Sequence, residues 1–419
     1  MSFRPLLELT HNRDFMLVWW AGLISGTGNF MLFVALPVFV YDETSSTLAT
    51  GLSVMANALP SVVVSQGAGV LVDRWDYRRT MLVANLILVP VTLLYLVAAS
   101  APWWVVVPVA FVQSSVGQFL GPAENALLPT LVAEQRLGAA NSLNALNNNL
   151  ARLIGPAAGG LLIAVFGFTG VIVVDTLTYL VAALLLLGLK SRRERTPAGS
   201  SQREDGEPLY RRLFTEWRDG LRAVGKNNLL KLSFAVAALV GFGEGFISTL
   251  IVPFIKVMLG GDGADLGYLF SAQAVGGIAA GLALTSFADR IAPIKLLAWG
   301  SLLSGLVLVP IFVYPLFYPV LWLILALTAL AGLPFAAWNT AQMTFLQTEA
   351  VPEQRGRVFA SYFAVFGFTQ LLGMFASGVL GDTLGVMVIV TDAATYLLAS
   401  VIVFIVMVRL KRKVGGARE

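Results

Sequence analysis

Charged residues inside apolar stretches are the part of this sequence best placed to do chemistry. When the polar connections are set aside, four acids and one base remain within those stretches: Glu124, Asp175, Glu244, Asp392 and Arg152. A charge in a membrane-spanning stretch is costly, so such side chains tend to mark an ion or substrate pathway. Carboxyls in this setting favour the binding and release of protons or organic cations.

Glu244 and Arg152 are predicted to lie at one depth. Counted at 1.5 Å per residue, Glu244 lies about 21 Å and Arg152 about 18 Å from the same end of their stretches. A carboxyl there can hold either a proton or a cationic substrate, which is the competition that a proton antiporter needs. We predict that Glu244 is the proton-coupling carboxylate and Arg152 its cationic partner. A static buried ion pair is the alternative.

The other three acids have plainer explanations. Glu124 lies within about one turn of the end of its stretch, as expected of a gate or a solvated residue. Asp175 and Asp392 occur in matching Asp-x-x-Thr-Tyr-Leu segments, near the outer ends of the sixth and twelfth stretches. Because an Asp early in a helix often caps the chain, we predict a structural role for both.

The composition places these residues in a polytopic membrane protein. Of the 419 residues, 12% are charged and 57% hydrophobic, with a mean hydropathy of +0.79, whereas soluble proteins carry about 25% charged residues. Breaks at charges and at Pro/Gly clusters delimit twelve stretches long enough to cross a bilayer. They cover residues 15–41, 48–72, 80–99, 103–127, 140–165, 170–190, 230–257, 265–288, 294–314, 319–345, 357–380 and 386–408.

The basic residues predict orientation and argue against nucleic acid as a partner. The net charge of +4 and the pI of 9.3 come from Lys and Arg scattered between the apolar stretches. Of these 28 residues, all but Arg152 and Lys256 fall on one predicted side, which is the cytoplasmic side in membrane proteins. We therefore expect a multi-pass protein of the bacterial inner (plasma) membrane with both termini in the cytoplasm, surrounded by lipid.

The residue inventory excludes several function classes. There is no Cys, and the single His, His11, lies in the polar N-terminal segment, so disulfides, thiolate nucleophiles and histidine metal clusters are excluded. The sequence shows no nucleophile–base pair and no phosphate-binding loop that ends in Lys-Ser/Thr. It therefore predicts neither an enzyme nor an ATP-driven pump, and it requires no metal or cofactor.

Two halves, 1–190 and 229–419, are related by repeated motifs and joined by a polar linker, 191–228. The matched positions, between 216 and 219 residues apart, are Phe30 and Phe246, Pro37 and Pro253, Asp73-Arg74 and Asp289-Arg290, Val132–Arg136 and Val351–Arg355, and Asp175–Leu180 and Asp392–Leu397. Parallel six-helix repeats imply a central site and rocking of one half against the other, which favours a transporter.

The linker carries an amphipathic pattern. Its apolar residues at helical spacing are Tyr210, Leu213, Phe214, Trp217, Leu221 and Val224, and its basic face holds Arg211, Arg212, Arg218, Arg222 and Lys226. The pattern predicts a helix that lies on the anionic inner leaflet. A helix packed on protein is the alternative.

The connection between spans two and three reads G-V-L-V-D-R-W-D-Y-R-R-T from Gly69. Gly69 is expected to let another helix approach closely, and Asp73 to face a helix N-terminus in the other half as a latch. These residues resemble the loop 2–3 signature of the major facilitator superfamily, G-x-L-x-D-R-x-x-R-R/K. With the repeated motifs, the predicted cytoplasmic gate comprises Gly69, Asp73, Arg74, Arg78, Arg79, Glu134, Arg136, Asp289, Arg290, Glu353 and Arg355.

The fifth span carries a proline between glycines. Its residues Gly155, Pro156, Gly159 and Gly160 are similar to the antiporter signature of the superfamily's exporters, in which the proline bends the helix and the glycines allow close packing. A polar ladder of Asn141, Asn144, Asn148 and Arg152 is expected on the same face. In the fourth span, Gln113 stands where the superfamily's proton-linked motif has Arg, so Arg152 is expected to supply the cation.

Further segments resemble the macrolide-efflux and enterobactin-exporter branch of the superfamily: Asn12–Phe15 with Trp19, the loop from Leu127 to Asn141, and Asp175–Leu180. The resemblance implies an all-α membrane fold with twelve helices in two pseudo-symmetric halves. It also implies proton-coupled antiport of hydrophobic or amphiphilic drugs, of macrolide or tetracycline type, by alternating access. We expect a monomer. Export of siderophores or lipids, import, and a non-transporting sensor or scaffold are the alternatives.

The expected substrate cavity is rich in rings and sparse in polar groups, which suits bulky amphiphiles. Its candidate residues are Asn29, Phe30, Phe33, Gln113, Asn144, Asn148, Phe242, Phe246, Trp338, Asn339 and Gln342. Any single ring among them is better explained by helix packing than by a ligand contact.

Overall fold

A computed structural model describes residues 9–190, 215, 218, 220–222, 224–284 and 291–415. The described chain consists of α-helices, short 3-10 turns and their connections. The helices of the first half are α1 (Arg13–Thr44), α2 (Thr47–Val63, continuing as Ser65–Val72), α3 (Tyr77–Ala99), α4 (Val106–Gly117, continuing as Leu120–Leu131) and the run Leu137–Leu187. Those of the second half are α7 (Asn228–Leu259), α8 (Gly263–Leu284), α9 (Pro293–Val313), α10 (Leu321–Glu349), α11 (Arg355–Leu384) and α12 (Val390–Gly415).

The run Leu137–Leu187 is two helices. Gly167 interrupts it with φ 65° and ψ −173°, a conformation that glycine adopts readily because it has no Cβ. The break separates α5 (137–166) from α6 (168–187). Ten helical stretches of the described chain are long and apolar enough to cross a membrane. With this division and the shorter α2, the described helices account for the twelve predicted crossings, and the all-α membrane fold is confirmed.

The chain forms two compact units. The first comprises Met1–Glu43 and Ala56–Arg212, and the second comprises Thr44–Met55 and Leu213–Glu419. The beginning of α2 thus belongs to the second unit, where Asp382 of α11 caps it. The backbone N–H of Thr47 donates to Asp382 Oδ1 at 2.6 Å, and that of Leu48 donates to Oδ2 at 3.3 Å.

Each unit has its own apolar core. In the first unit, Val18 and Ala21 of α1 pack with Met81, Leu127 and Leu186 of α3, α4 and α6. In the second unit, a buried apolar group joins α7, α9, α10 and α12 through Val240, Leu297, Trp338, Tyr396 and Val403. Large apolar side chains elsewhere are exposed, as expected for helices that face lipid.

The described part of the linker helix packs on protein. Val224 is buried and Leu221 is partly buried in a cluster with Leu346 of α10 and Val358 of α11. A Cβ at Gly220 would lie 2.6 Å from the carbonyl oxygen of Arg357, so this turn of the helix contacts α11 directly. The predicted leaflet-facing position is therefore wrong for Leu221 and Val224. The other predicted apolar residues of this helix, from Tyr210 to Trp217, lie outside the described residues.

The repeated Val-x-Glu-Gln-Arg motif forms the same local structure twice. Glu134–Arg136 and Pro352–Gln354 are 3-10 turns, and α5 and α11 begin directly after them. Side-chain caps define two other helix starts. Asp76 accepts from the backbone N–H of Arg79 at 2.8 Å to begin α3, and Asn227 accepts from that of Leu229 at 2.8 Å to begin α7. Such caps satisfy N–H groups that the first turn leaves unpaired.

Candidate functional site

A polar cluster lies inside the first unit, where α1, α4 and α6 meet. Gln113 of α4 donates through Nε2 to Asp175 Oδ2 at 3.3 Å and to the hydroxyl of Tyr179 at 3.3 Å. The Tyr179 hydroxyl in turn donates to Asn29 Oδ1 of α1. Asp175 is completely buried. The Asp175 carboxylate thus accepts a hydrogen bond from a neutral amide.

A corresponding cluster lies inside the second unit, where α7 and α12 meet. The hydroxyl of Tyr396 donates to Glu244 Oε1 at 2.7 Å. Glu244 lies in the middle of α7. Asp392, one turn before Tyr396, is 1% exposed, and its Oδ1 has no hydrogen-bond partner among the described residues. Two carboxyls therefore occupy this cluster.

Two glycines bring these helices together. A Cβ at Gly28 would overlap Asp175 Oδ1 and Thr178 Oγ1, and a Cβ at Gly243 would overlap Thr395 Oγ1 and lie 2.9 Å from Asp392 Oδ1. Gly28 and Gly243 are therefore structural counterparts.

This correspondence changes the register of the repeat in α1 and α7. With Gly28 matched to Gly243, Glu244 corresponds to Asn29, and both side chains accept a tyrosine hydroxyl. The offset of 216 predicted from Phe30 and Phe246, which pairs Glu244 with Gly28, is wrong by one residue at this site.

The glycines of α5 pack against α1. A Cβ at Gly155 would lie 2.8 Å from the Thr27 carbonyl oxygen and one at Gly159 would lie 2.6 Å from that of Met31. In the second unit, Gly373 of α11 approaches Phe242 and Gly245 of α7 in the same way. Pro156 and Gly160 are buried as well. The exporter-like signature of α5 therefore forms a close contact with α1, which is possible because the glycines have no side chain.

Neither Asp175 nor Asp392 caps a helix end, so the capping argument for their predicted structural role is wrong, and the structural role itself stays a prediction. Asp175 lies two turns beyond the Gly167 break, and its carboxylate accepts from Gln113 and from Thr178 Oγ1 at 3.3 Å. Asp392 lies in the first turn of α12, but its Oδ1 is unpartnered. Because they contact Gly28 and Gly243, both carboxyls lie beside the middle of α1 and α7 and not at the outer ends of the spans.

The polar ladder and the glycines of α5 occupy neighbouring faces. Asn147, Ala151, Gly155 and Gly159 form the buried stripe toward α1, and the Asn147 amide donates to the Trp19 carbonyl. Asn141, Asn148 and Arg152 are exposed and Asn144 is half-buried. Positions three apart differ by about 60° around a helix, so the prediction of one shared face is wrong. The predicted pairing of Arg152 with Glu244 stays a prediction.

The predicted cavity residues divide by burial. Four of them are packed inside their own units and offer no surface to a substrate, which corrects that prediction for Gln113, Phe246, Trp338 and Gln342. The buried Gln342, for example, accepts from the hydroxyl of Ser233. The other predicted residues are exposed or half-buried: Asn29, Phe30, Phe33, Asn144, Asn148, Phe242 and Asn339.

The predicted gate residues have mixed outcomes. No described atom lies within 4 Å of a Cβ at Gly69, so the close helix approach there stays a prediction. Arg78 donates to the carbonyl oxygens of Leu186 at 3.1 Å and Leu187 at 2.9 Å, and thereby caps the end of α6. The exposed gate residues are Asp73, Arg74, Arg79, Glu134, Arg136 and Arg355. Asp289, Arg290 and the side chain of Glu353 lie outside the described part of the chain.

Glu124 is half-buried on α4 and faces α1. A Cβ at Gly22 would lie 3.2 Å from Glu124 Oε1. Its predicted role as a gate or solvated residue stays a prediction.

The opening segment joins α1 to two other helices of the first unit. Asn12 accepts from the Phe15 backbone N–H and donates to the Leu131 carbonyl at 2.8 Å, which ties the start of α1 to the end of α4. Trp19 donates to the Leu143 carbonyl at 2.8 Å and so joins α1 to α5. A short-range cap was legible from Asn12 alone; the long-range bonds were not.

A profile of the transmembrane secretion effector family matches residues 3–415. The chain belongs to this family of the major facilitator superfamily. It is 24% identical to macrolide efflux protein A of Streptococcus pyogenes over 375 residues, which cover 89% of this chain and 90% of that protein. It is 26% identical to the multidrug efflux pump Tap of Mycolicibacterium fortuitum over 395 residues, covering 90% and 91%.

Solved structures agree on the fold. A bacterial homologue of the iron transporter ferroportin superposes with a TM-score of 0.71 at 13% identity, over 94% of this chain and 98% of that one. The chain is therefore a multi-pass membrane transporter of the major facilitator type, a protein of the bacterial plasma membrane, and not an enzyme.

Proposed function

We propose that this transporter exports hydrophobic or amphiphilic small molecules in exchange for protons, by alternating access. The observation that carries the proposal is Glu244, a carboxyl in the middle of α7 that accepts the Tyr396 hydroxyl at 2.7 Å. A carboxyl at that depth is costly unless it serves an ion or substrate pathway. Its counterpart in the first unit is the uncharged Asn29, so the repeat scaffold alone does not require an acid there.

The carboxyl can couple two opposite movements. When Glu244 carries a proton, it is neutral and compatible with the apolar interior. When it releases the proton toward the cytoplasm, the carboxylate can bind the cationic group of a substrate, and Arg152 offers a competing positive charge. A proton from outside then displaces the substrate. One carboxyl that holds a proton or a substrate, but not both, links inward proton flow to outward transport.

The relatives support the direction and the substrate class. Macrolide efflux protein A and the multidrug efflux pump Tap are named for export. Exposed or half-buried rings and amides, among them Phe33, Phe242 and Asn339, suit bulky amphiphiles with few polar groups. We also propose that the exposed Asp73 and Arg74 form part of the cytoplasmic gate. Both termini would lie on the cytoplasmic side of the membrane, and the transporter would act as a monomer.

The experiment measures erythromycin, tetracycline and ethidium accumulation in pump-deficient bacteria that express the chain, with and without a protonophore. We expect lower accumulation of at least one compound, abolished by the protonophore. E244Q should lose this effect at equal expression, while D265N, an acid at the start of α8, should keep it.

Other outcomes separate the alternatives. Proton-driven export by E244Q equal to that of the wild type would refute the coupling role of Glu244. If none of the three compounds is exported, the same assay with a labelled siderophore or a fluorescent lipid tests the other exporter alternatives. Raised accumulation would identify an importer.

A further inference from the structure

The second unit holds a carboxyl that the proposed exchange does not use. Asp392 is 1% exposed in a membrane-spanning helix, and its Oδ1 has no hydrogen-bond partner among the described residues. Its counterpart Asp175 accepts from the Gln113 amide. Burying an ionised carboxylate without a partner is strongly unfavourable. Asp392 therefore needs a bound proton or an arrangement that limits its charge.

Glu244 lies close enough to Asp392 that ionisation of one carboxyl disfavours ionisation of the other. Gly243, its neighbour in α7, is the point at which Asp392 approaches that helix, since a Cβ there would lie 2.9 Å from Asp392 Oδ1. Tyr396, one turn after Asp392, donates to Glu244. Both carboxyls therefore lie against the same short stretch of α7 and α12. Two like charges in a low-dielectric interior repel strongly.

The other titratable groups of the described second-unit helices lie mostly near helix ends. Besides Tyr396, the titratable neighbour in the middle of the packed helices is Tyr362 of α11, which interacts with Tyr396. Apart from Glu244, the charged residues of the described helices α7 to α11 lie in end turns: Lys231, Lys256, Asp265, Lys295, Glu349, Arg355, Arg357 and Asp382. Lys256, twelve residues from Glu244, is about 18 Å away along α7.

We propose that Asp392 is a second proton-binding carboxyl of this transporter and that it titrates with Glu244 as a pair. The pair alternates between a state with two protons and a state with one proton, so it carries at most one negative charge. In the singly protonated state the proton resides on either carboxyl. The charge available to a substrate at Glu244 is thus set by both residues. This inference deepens the proposed function, because it assigns Glu244 a partner.

Infrared spectroscopy of the full-length protein in lipid vesicles tests the pair without any substrate. The C=O stretching band of protonated carboxyls is followed as a function of pH in the wild type, D392N, E244Q and D175N. D392N removes the like charge beside Glu244, so the remaining band should disappear at a pH lower by about one unit. In E244Q, a band that belongs to Asp392 should remain. This band should be absent from the double variant E244Q/D392N. D175N, which changes the matching residue of the first unit, should leave the second-unit titration in place.

The outcomes are distinct. If the Glu244 band of D392N titrates at the wild-type pH, or if E244Q shows no Asp392 band that titrates at all, the pair does not exist. Because E244Q reports on Asp392 directly, the test holds even if D392N does not fold. If the pair titrates as expected but E244Q still exports in response to the proton gradient, the pair stands and the proposed role of Glu244 in coupling fails.

Discussion

Tyr179 in the first unit and Tyr396 in the second occupy equivalent positions, yet they meet different partners. Tyr179 donates to the amide of Asn29, and Gln113 serves the nearby Asp175. Tyr396 donates to the carboxyl of Glu244, and the nearby Asp392 has an unpartnered Oδ1. The first cluster has one acid and two amides, whereas the second has two acids. The two copies of the repeat therefore keep the same tyrosine contact while one of them holds a titratable carboxyl in place of an amide.

Replacing Glu244 by Asn tests this difference most directly, because it gives the second cluster the amide of the first. We expect E244N to lose all protonophore-sensitive export while it melts at nearly the wild-type temperature, since an asparagine can accept the Tyr396 hydroxyl as Asn29 accepts that of Tyr179. Drug accumulation and thermal unfolding in detergent measure the two effects. Full export by E244N would mean that the second cluster needs no acid at this position.

Much of this architecture follows from sequence. Apolar length, with breaks at charges and Pro/Gly clusters, predicted twelve crossings and placed Glu244 in the middle of its helix, because both depend on local composition. The match between Asn29 and Glu244 did not follow, because Phe30 and Phe246 align by residue type at an offset of 216, and only the contacts of Gly28 and Gly243 reveal the register.

The direction in which each helix face points did not follow from the sequence either. Gln113 and Trp338 have side chains that suit a substrate cavity, but they are buried within their own units. A polar residue on an apolar helix can face a cavity or a buried partner, and its spacing does not distinguish them. The partner that decides the case for Gln113 is Asp175, 62 residues away in the chain.

The glycines that bring the helices together predict the next largest effect. A Cβ at Gly28 or Gly243 would overlap side-chain oxygens of α6 or α12, and overpacking of this kind costs about 1–3 kcal/mol. We expect G28A and G243A to lower the melting temperature alike, and G243A also to disturb proton coupling. G69A is the matched control, because nothing described lies within 4 Å of its Cβ. A G69A variant as unstable as G28A would contradict the contacts.

Gln113 tests whether the amide is what stabilises the first cluster. Q113L removes the donor to Asp175 and to Tyr179, and loss of a buried hydrogen-bond partner costs about 1–3 kcal/mol. We expect a lower melting temperature that D175N partly restores, because a neutral side chain no longer leaves a carboxylate without a donor. Q118L, in the turn between the two parts of α4, loses only a 3.4 Å bond to Ser114 and should melt like the wild type. An unchanged melting temperature for Q113L would show that Asp175 is satisfied by Thr178 alone.

The smallest expected effect concerns an acid whose role is structural, in contrast to Glu244. Asp382 caps the beginning of α2 through the backbone N–H groups of Thr47 and Leu48, and it accepts the Ser46 hydroxyl at 2.8 Å. Loss of a helix N-cap costs about 1 kcal/mol, so D382A should lower the melting temperature of the protein slightly. D382N keeps one acceptor and should lower the melting temperature less than D382A.

Export by D382N should remain as sensitive to the protonophore as in the wild type, because the Asp382 carboxylate binds backbone N–H groups and does not exchange a proton for substrate. If D382N instead abolished proton-driven export, acids outside the Glu244 cluster would have to share the coupling, and the contrast between the two units would no longer explain it.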